Sequence, residues 1–205
     1  MVTVSNYINN LYDILNKIYV SNSDLKIVKS NNKYNFNSEF IPLNIRQEIL
    51  NNKLNFTIKS KNIVCNIWCN NLNDKIKEDI KRVLNRFNTV IKFFDKYNLN
   101  YNKKKFILNY IPTKLKKSLP IKKNTILGAN EINSGLSYIY QNIIYIWREE
   151  EFDKVFIHEL FHCLGYDRFL IENENLCELS KYFNVKNKIN CNEGYNEFCA
   201  LIYHC

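Results

Sequence analysis

No run of about 18 apolar residues occurs in the 205-residue chain, so the sequence supplies no membrane-spanning helix. The first residues, Met1-Val2-Thr3-Val4-Ser5-Asn6, lack the basic and apolar regions of a secretory signal. Arginine and alanine are scarce, with 5 and 2 residues against 35 Asn, 26 Ile and 24 Lys. Asn, Ile and Lys have AT-rich codons, so a drifting genome accounts for this bias without a binding function. The formal charge of +9 therefore comes from Lys, not from Arg, the better fork for phosphate. Specific nucleic-acid binding is not expected, and neither is a membrane partner. The seven Cys are an odd number with no secretion signal beside them, which points to reduced thiols in a cytosol-like compartment. Cys65 and Cys69 fall in a β-branched run, where four positions span about 13 Å, too far for one metal or one bridge.

What is present suffices for a globular fold. Hydrophobic residues make up 46% and charged ones 24%. At this length a core forms without a staple. Neither a repeat nor a linker interrupts the chain, so a single α+β domain over 1–205 is expected. Helical spacing predicts helices over 3–19 and, after Pro42, through Ile45, Ile49 and Leu50. Strands are expected near 25–28, over 54–59 and over 63–69. The strongest helix spans 72–97, with one apolar stripe through Ile76, Ile80, Val83, Leu84, Phe87, Val90, Ile91 and Phe94, capped by Asn73 or Asp74. A strand over 106–111 should stop at Pro112. Lys114, Lys116, Lys117, Lys122 and Lys123 read as a solvated loop, with a local field that favours acidic peptides if a cleft lies near. Gly128 and Gly135 flank a turn. Segments 136–140 and 143–147 read as a hairpin. A helix over 149–164 would carry Glu149, Glu150 and Glu151 in its first turn and stop at Gly165. Further helices are expected over 172–183 and 195–203.

All three His lie near the end of the chain, and two of them form His158-Glu159-Leu160-Phe161-His162. Chance yields this H-E-x-x-H pattern ~0.003 times in such a composition. On a helix, positions i and i+4 share a face, so both imidazoles can reach one Zn²⁺. Glu159 is turned about 100° away, off the metal but within reach of a water held there, as a general base. Val155, Phe156 and Ile157 place the motif on a buried helix. A third ligand is needed, and three residues qualify: Asp167, five positions after His162; Glu197, within Gly194-Tyr195-Asn196-Glu197; and His204.

The pair His158–His162 followed by Gly194-x-Asn196-Glu197 resembles the gluzincin metallopeptidases, including the thermolysin-like ones. That resemblance implies His158, His162 and Glu197 as zinc ligands and Glu159 as the base. The family places an Asp four residues after its ligand Glu, where this chain has Leu201. Asp167, Glu178 or Glu193 would then orient the first His. Asn133-Ser134-Gly135, Arg148–Glu151, Lys154–Glu159 and Tyr195–Ala200 together resemble zincin-like proteins of large DNA viruses, over about 105–205. This implies a zincin-like α+β fold: a twisted mixed sheet, a backing helix, an active-site helix and a C-terminal ligand helix. It implies a catalytic core over 71–205 preceded by an extension or subdomain over 1–70. The expected function is a zinc-dependent metallopeptidase, a hydrolase of peptide bonds in a peptide or protein substrate, working in a host cytoplasm or virion. Tyr166, Tyr195 and His204 are candidate oxyanion donors.

Other chemistries fit less well. Cys163 adjoins His162, so their side chains diverge, and a cysteine hydrolase is disfavoured. A structural zinc site with Cys191 or Cys199 has no use for Glu159. A catalytically inactive zincin-fold interaction module is the principal alternative.

Overall fold

The computed structural model describes residues 4–19, 26–30, 38–51, 55–117, 120, 127–138, 141–166 and 192–204. Among these, the chain runs α1 (Val4–Ile18), β1 (Ile27–Ser30), α2 (Leu43–Asn51), β2 (Asn55–Lys59), β3 (Ile63–Trp68), α3 (Asp74–Lys96) and β4 (Phe106–Thr113). It continues with α4 (Ala129–Ile132), β5 (Gly135–Tyr138), β6 (Ile143–Arg148), α5 (Phe152–Leu164) and α6 (Asn192–His204). The architecture is α+β.

Six strands form one mixed sheet in the order β1-β2-β3-β4-β6-β5. β3, β4 and β6 run parallel, and the remaining pairs are antiparallel. Residues before 71 supply β1, β2 and β3, which are hydrogen-bonded into the same sheet as β4–β6. None of the described helices is long and apolar enough to cross a membrane.

Strand alternation sends Ile63, Cys65, Ile67, Phe106, Leu108, Tyr110, Ile144 and Ile146 to one face. There they join the apolar stripes of α3 and α5 in the main core, which also takes in Cys199 and Ala200 of α6. Phe87 of α3 meets Phe106 and Phe156 edge-on, at 5.2 and 6.4 Å between ring centres. The opposite face holds a smaller core of Ile41, Ile45 and Ile49 against Trp68, Ile111 and Trp147. It also holds a polar row. Thr57, Asn66 and Asn109 stand side by side across β2, β3 and β4. The Thr57 hydroxyl donates to Asn66 Oδ1 at 3.2 Å, and Asn66 Nδ2 donates to Asn109 Oδ1 at 3.1 Å.

Asn73 caps α3, its side-chain oxygen accepting from the Ile76 N–H at 2.9 Å. Gly165 ends α5 in the left-handed region, with φ 71°. Three expectations need correction. β4 does not stop at Pro112 but continues to Thr113. The register with β6 shifts between Tyr110 and Thr113, and at such an irregularity the missing proline N–H is tolerated. α5 begins at Phe152, so only Asp153 is acidic in its first turn. Glu149 pairs instead with Lys75 of α3, and Glu151 with Lys117. α6 begins at Asn192, three residues before the apolar pattern does. The helix expected over 172–183 lies outside the described residues.

Candidate metal centre

α5 follows β6 directly and packs under β6 and the edge strand β5, which places the His pair beneath the sheet edge. A cleft of about 570 Å³ opens there, lined by β5, by Lys154, Val155, His158, Glu159 and His162 of α5, and by Glu193 and Glu197 of α6.

The two imidazoles converge. His158 Nε2 and His162 Nε2 are 3.2 Å apart. The Glu193 carboxylate faces both, at 3.1 Å from His158 Nε2 and 3.4 Å from His162 Nε2. Donor atoms of these three residues all lie within 4.8 Å of one another. Two bonds of 2.0–2.1 Å at a tetrahedral angle separate their donor atoms by about 3.4 Å. The spacing of the two Nε2 atoms matches one such edge, and Glu193 sets a different oxygen near each ring, Oε2 by His158 and Oε1 by His162. The imidazoles hold the Glu193 carboxyl well below the usual carboxylate range, chiefly through hydrogen bonds from the two rings.

The far sides of the rings are also engaged. Asn196 Nδ2 lies 2.9 Å from His162 Nδ1, while Asn196 Oδ1 is buried without a partner. An Asn amide has the same shape either way round. With Oδ1 toward the ring it accepts from Nδ1–H and leaves the Nε2 lone pair for a cation. His158 Nδ1 lies 3.3 Å from Glu197 Oε2, without an aligned hydrogen bond. The donor set, two imidazole nitrogens and a carboxylate, fits a zinc-type ion.

Glu159 points elsewhere, into the contact with β5. Burial pushes its carboxyl up, opposed by the two imidazoles and by a hydrogen bond from Ser137. Gly135 and Ser137 share one face of β5, so both meet this side chain. A Cβ on Gly135 would stand 2.9 Å from Glu159 Oε1. The carboxylate thus sits beside the ring face, in the cleft, without joining the three donors.

The chain matches no family model, no curated protein and no solved structure. The site must therefore be read from its own geometry.

Of the residues the sequence reading singled out, the structure brings together His158, His162 and Glu159 in one cleft. It places Glu197 on the Nδ1 side of His158 and Glu193, not Glu197, beside the two Nε2 atoms. Asp167 and Glu178 lie outside the described residues, as does the side chain of His204. Tyr166 and Tyr195 stack on each other, with ring centres 5.6 Å apart, and neither lines the cleft. Cys163 is buried, and burial pushes its thiol up to about 12, which disfavours the thiolate. Lys117 does reach the cleft, but in an ion pair with Glu151. Burial pushes the Glu151 carboxyl up, yet hydrogen bonds from Lys117 and Ser134 together hold it below its ordinary range.

Two residues stand in places that the sequence reading does not give them. Glu193 is expected only as a carboxylate that orients the first His, although Glu193 and Glu197 are four apart, the spacing of a ligand carboxylate and its follower. Arg148 enters only within the resemblance over Arg148–Glu151, with no role of its own. It is buried at the end of β6, where Nη1 donates to the Leu115 carbonyl at 2.7 Å and Nε to the Asn133 carbonyl at 3.2 Å. It thereby ties together the two loops that approach the cleft.

Proposed function

We propose that the protein is a zinc-dependent metallopeptidase of gluzincin-like design, with His158, His162 and Glu193 as ligands and Glu159 as general base. The observation that carries this reading is the convergence of His158 Nε2, His162 Nε2 and the Glu193 carboxylate, with Glu159 beside them but pointing away. The resemblance implies Glu197 as ligand. The distances favour moving that role one helical turn back, so that Glu197 takes the place of the carboxylate that orients the first His.

A zinc ion held there would lower the pKa of a bound water to about 7 and polarise a carbonyl. Glu159 takes the proton of the attacking water on a carboxylate oxygen and passes it to the leaving amine. Its burial raises its proton affinity toward what that transfer needs, and Ser137 fixes its orientation. Among the described residues β5 is the edge strand of the sheet, and it runs along the cleft, where an extended peptide could pair with its backbone.

The test is elemental analysis and peptide-library digestion on the purified protein and three variants. One zinc per chain is expected in the wild type and in Glu159→Gln, which keeps the side-chain shape. Turnover should fall 10²–10⁴-fold in Glu159→Gln, because Gln cannot accept the proton. Glu193→Ala should lose the zinc, whereas Glu197→Ala should bind it more weakly. Zinc retained in Glu193→Ala and lost in Glu197→Ala would reverse the two carboxylates. A wild type that takes up no zinc under loading conditions would end the reading.

A further inference from the structure

Helix α5 presents Lys154, His158 and His162 at steps of four, on one face. Helix α6 answers with Glu193 and Glu197, also four apart, and all five side chains line the cleft. The proposed centre uses four of the five and leaves Lys154 without a role. Its Nζ lies 2.6 Å from Glu197 Oε1, while the other oxygen of that carboxylate lies 3.3 Å from His158 Nδ1. One oxygen of this carboxylate is therefore bonded to a cation, and the other stands beside the ring nitrogen opposite Nε2, without an aligned hydrogen bond.

We propose that Lys154 is a positioning residue for the metal centre: it holds Glu197 at the Nδ1 side of His158, from which a turn of the carboxylate lets it accept the Nδ1 proton once Nε2 is presented to the metal as a lone pair. This rests on the zinc reading given above. Glu197 is 40% exposed and stands on the rim of the cleft, where a Glu side chain samples several rotamers. Its ion-pair partners among the described residues are Lys154 and His158. Anchoring one oxygen on Lys154 leaves the other at the ring. A half-exposed pair of this kind adds little to folding stability, so the contribution falls on the tautomer and angle of the imidazole.

The sign of the effect separates positioning from plain charge. Lys154 is a cation beside a site for a dication, so by Coulomb repulsion alone its removal would tighten zinc binding. Loss of positioning weakens it instead. Orienting partners of this type are typically worth 10–100-fold in metal affinity.

The experiment measures zinc affinity by competition with a chromophoric chelator, for the wild type, Lys154→Met, Lys154→Arg, Glu197→Gln and the Lys154→Met/Glu197→Gln double variant. About tenfold weaker binding is expected for each of Lys154→Met and Glu197→Gln. The double variant should be no weaker than Glu197→Gln alone, and Lys154→Arg should bind like the wild type. Metal-free melting temperatures should be unchanged throughout, which separates positioning from misfolding. Equal or tighter zinc binding by Lys154→Met, or additive losses in the double variant, would overturn the proposal. A wild type that binds no zinc fails the zinc reading, and this proposal falls with it; a wild type that binds zinc, with Lys154→Met binding equally well, fails this proposal alone.

Discussion

Gly135 stands where β5 and α5 come closest. A Cβ built there would meet Val155 Cγ1 at 2.6 Å and Glu159 Oε1 at 2.9 Å. Real Cβ atoms do not approach a neighbour so closely, so Gly135→Ala must push the strand off the helix or turn Glu159 out of its place. Overpacking of this kind costs about 1–3 kcal/mol. Urea unfolding should show that loss; a cost below about 0.5 kcal/mol would mean that the strand has room to spare. The same substitution tests the site, because the first atom to give way is on Glu159 or on its helix neighbour. Glycine is used here for its lack of a side chain, beside a buried carboxylate that Ser137 holds from the other end of the same strand face.

At the scale of elements, α3 and α5 are joined by charge as well as by rings. Asp153, in the first turn of α5, accepts from Arg82 Nε of α3 at 2.9 Å and forms an ion pair with Arg86, whose Nη1 lies 2.9 Å away. Arg82 also reaches Asp79, whose carboxyl burial pushes up and Arg82 draws back down. Asp153→Ala removes the carboxylate that Arg82 and Arg86 share, and the expected loss is roughly 1–3 kcal/mol in chemical denaturation. A variant as stable as the wild type would show that solvent replaces the carboxylate at no cost.

The stripe of α3 is legible in the sequence because eight apolar residues keep helical phase over about five turns. The start of α6 is not, because Asn192, Glu193 and Gly194 are polar or small and read as loop. Those residues become helical by continuing an element whose apolar face, including Cys199 and Ala200, is already packed. That three-residue extension carries Glu193 from an apparent loop to the candidate metal site. The helix start at Phe152 was masked in the opposite way. Glu149, Glu150 and Glu151 look like a charged first turn, but Lys75, Lys117 and Ser134 claim two of them outside the helix.

For the whole molecule, the candidate donors come from two helices whose nearest donor residues, His162 and Glu193, are 31 positions apart (193 − 162). An ion shared between them is a bond between distant parts of the chain. Binding restricted to the folded state stabilises by about 4 kcal/mol when free metal stands at a thousand times its dissociation constant. For a chain of this size that is a melting shift on the order of 10 °C. Adding chelator should lower the melting temperature of the zinc-loaded protein by that order and leave Glu193→Ala unmoved. An equal shift in both would place the stabilising metal elsewhere.

The row of Thr57, Asn66 and Asn109 on the far face of the sheet has a consequence for a chain made so largely of Ile and Asn. Such a composition offers β3 and β4 many alignments of nearly equal hydrophobic merit, because one Ile substitutes for the next. The amides do not substitute in this way. A slip of two residues keeps every side chain on its face. The slip still pulls Asn66 away from Asn109, leaving buried polar groups without partners, whereas the native alignment satisfies them in sequence from Thr57 across three strands. The row therefore works as a key that only one alignment turns, and the position of β6, of α5 behind it and of the His pair is inherited from that alignment.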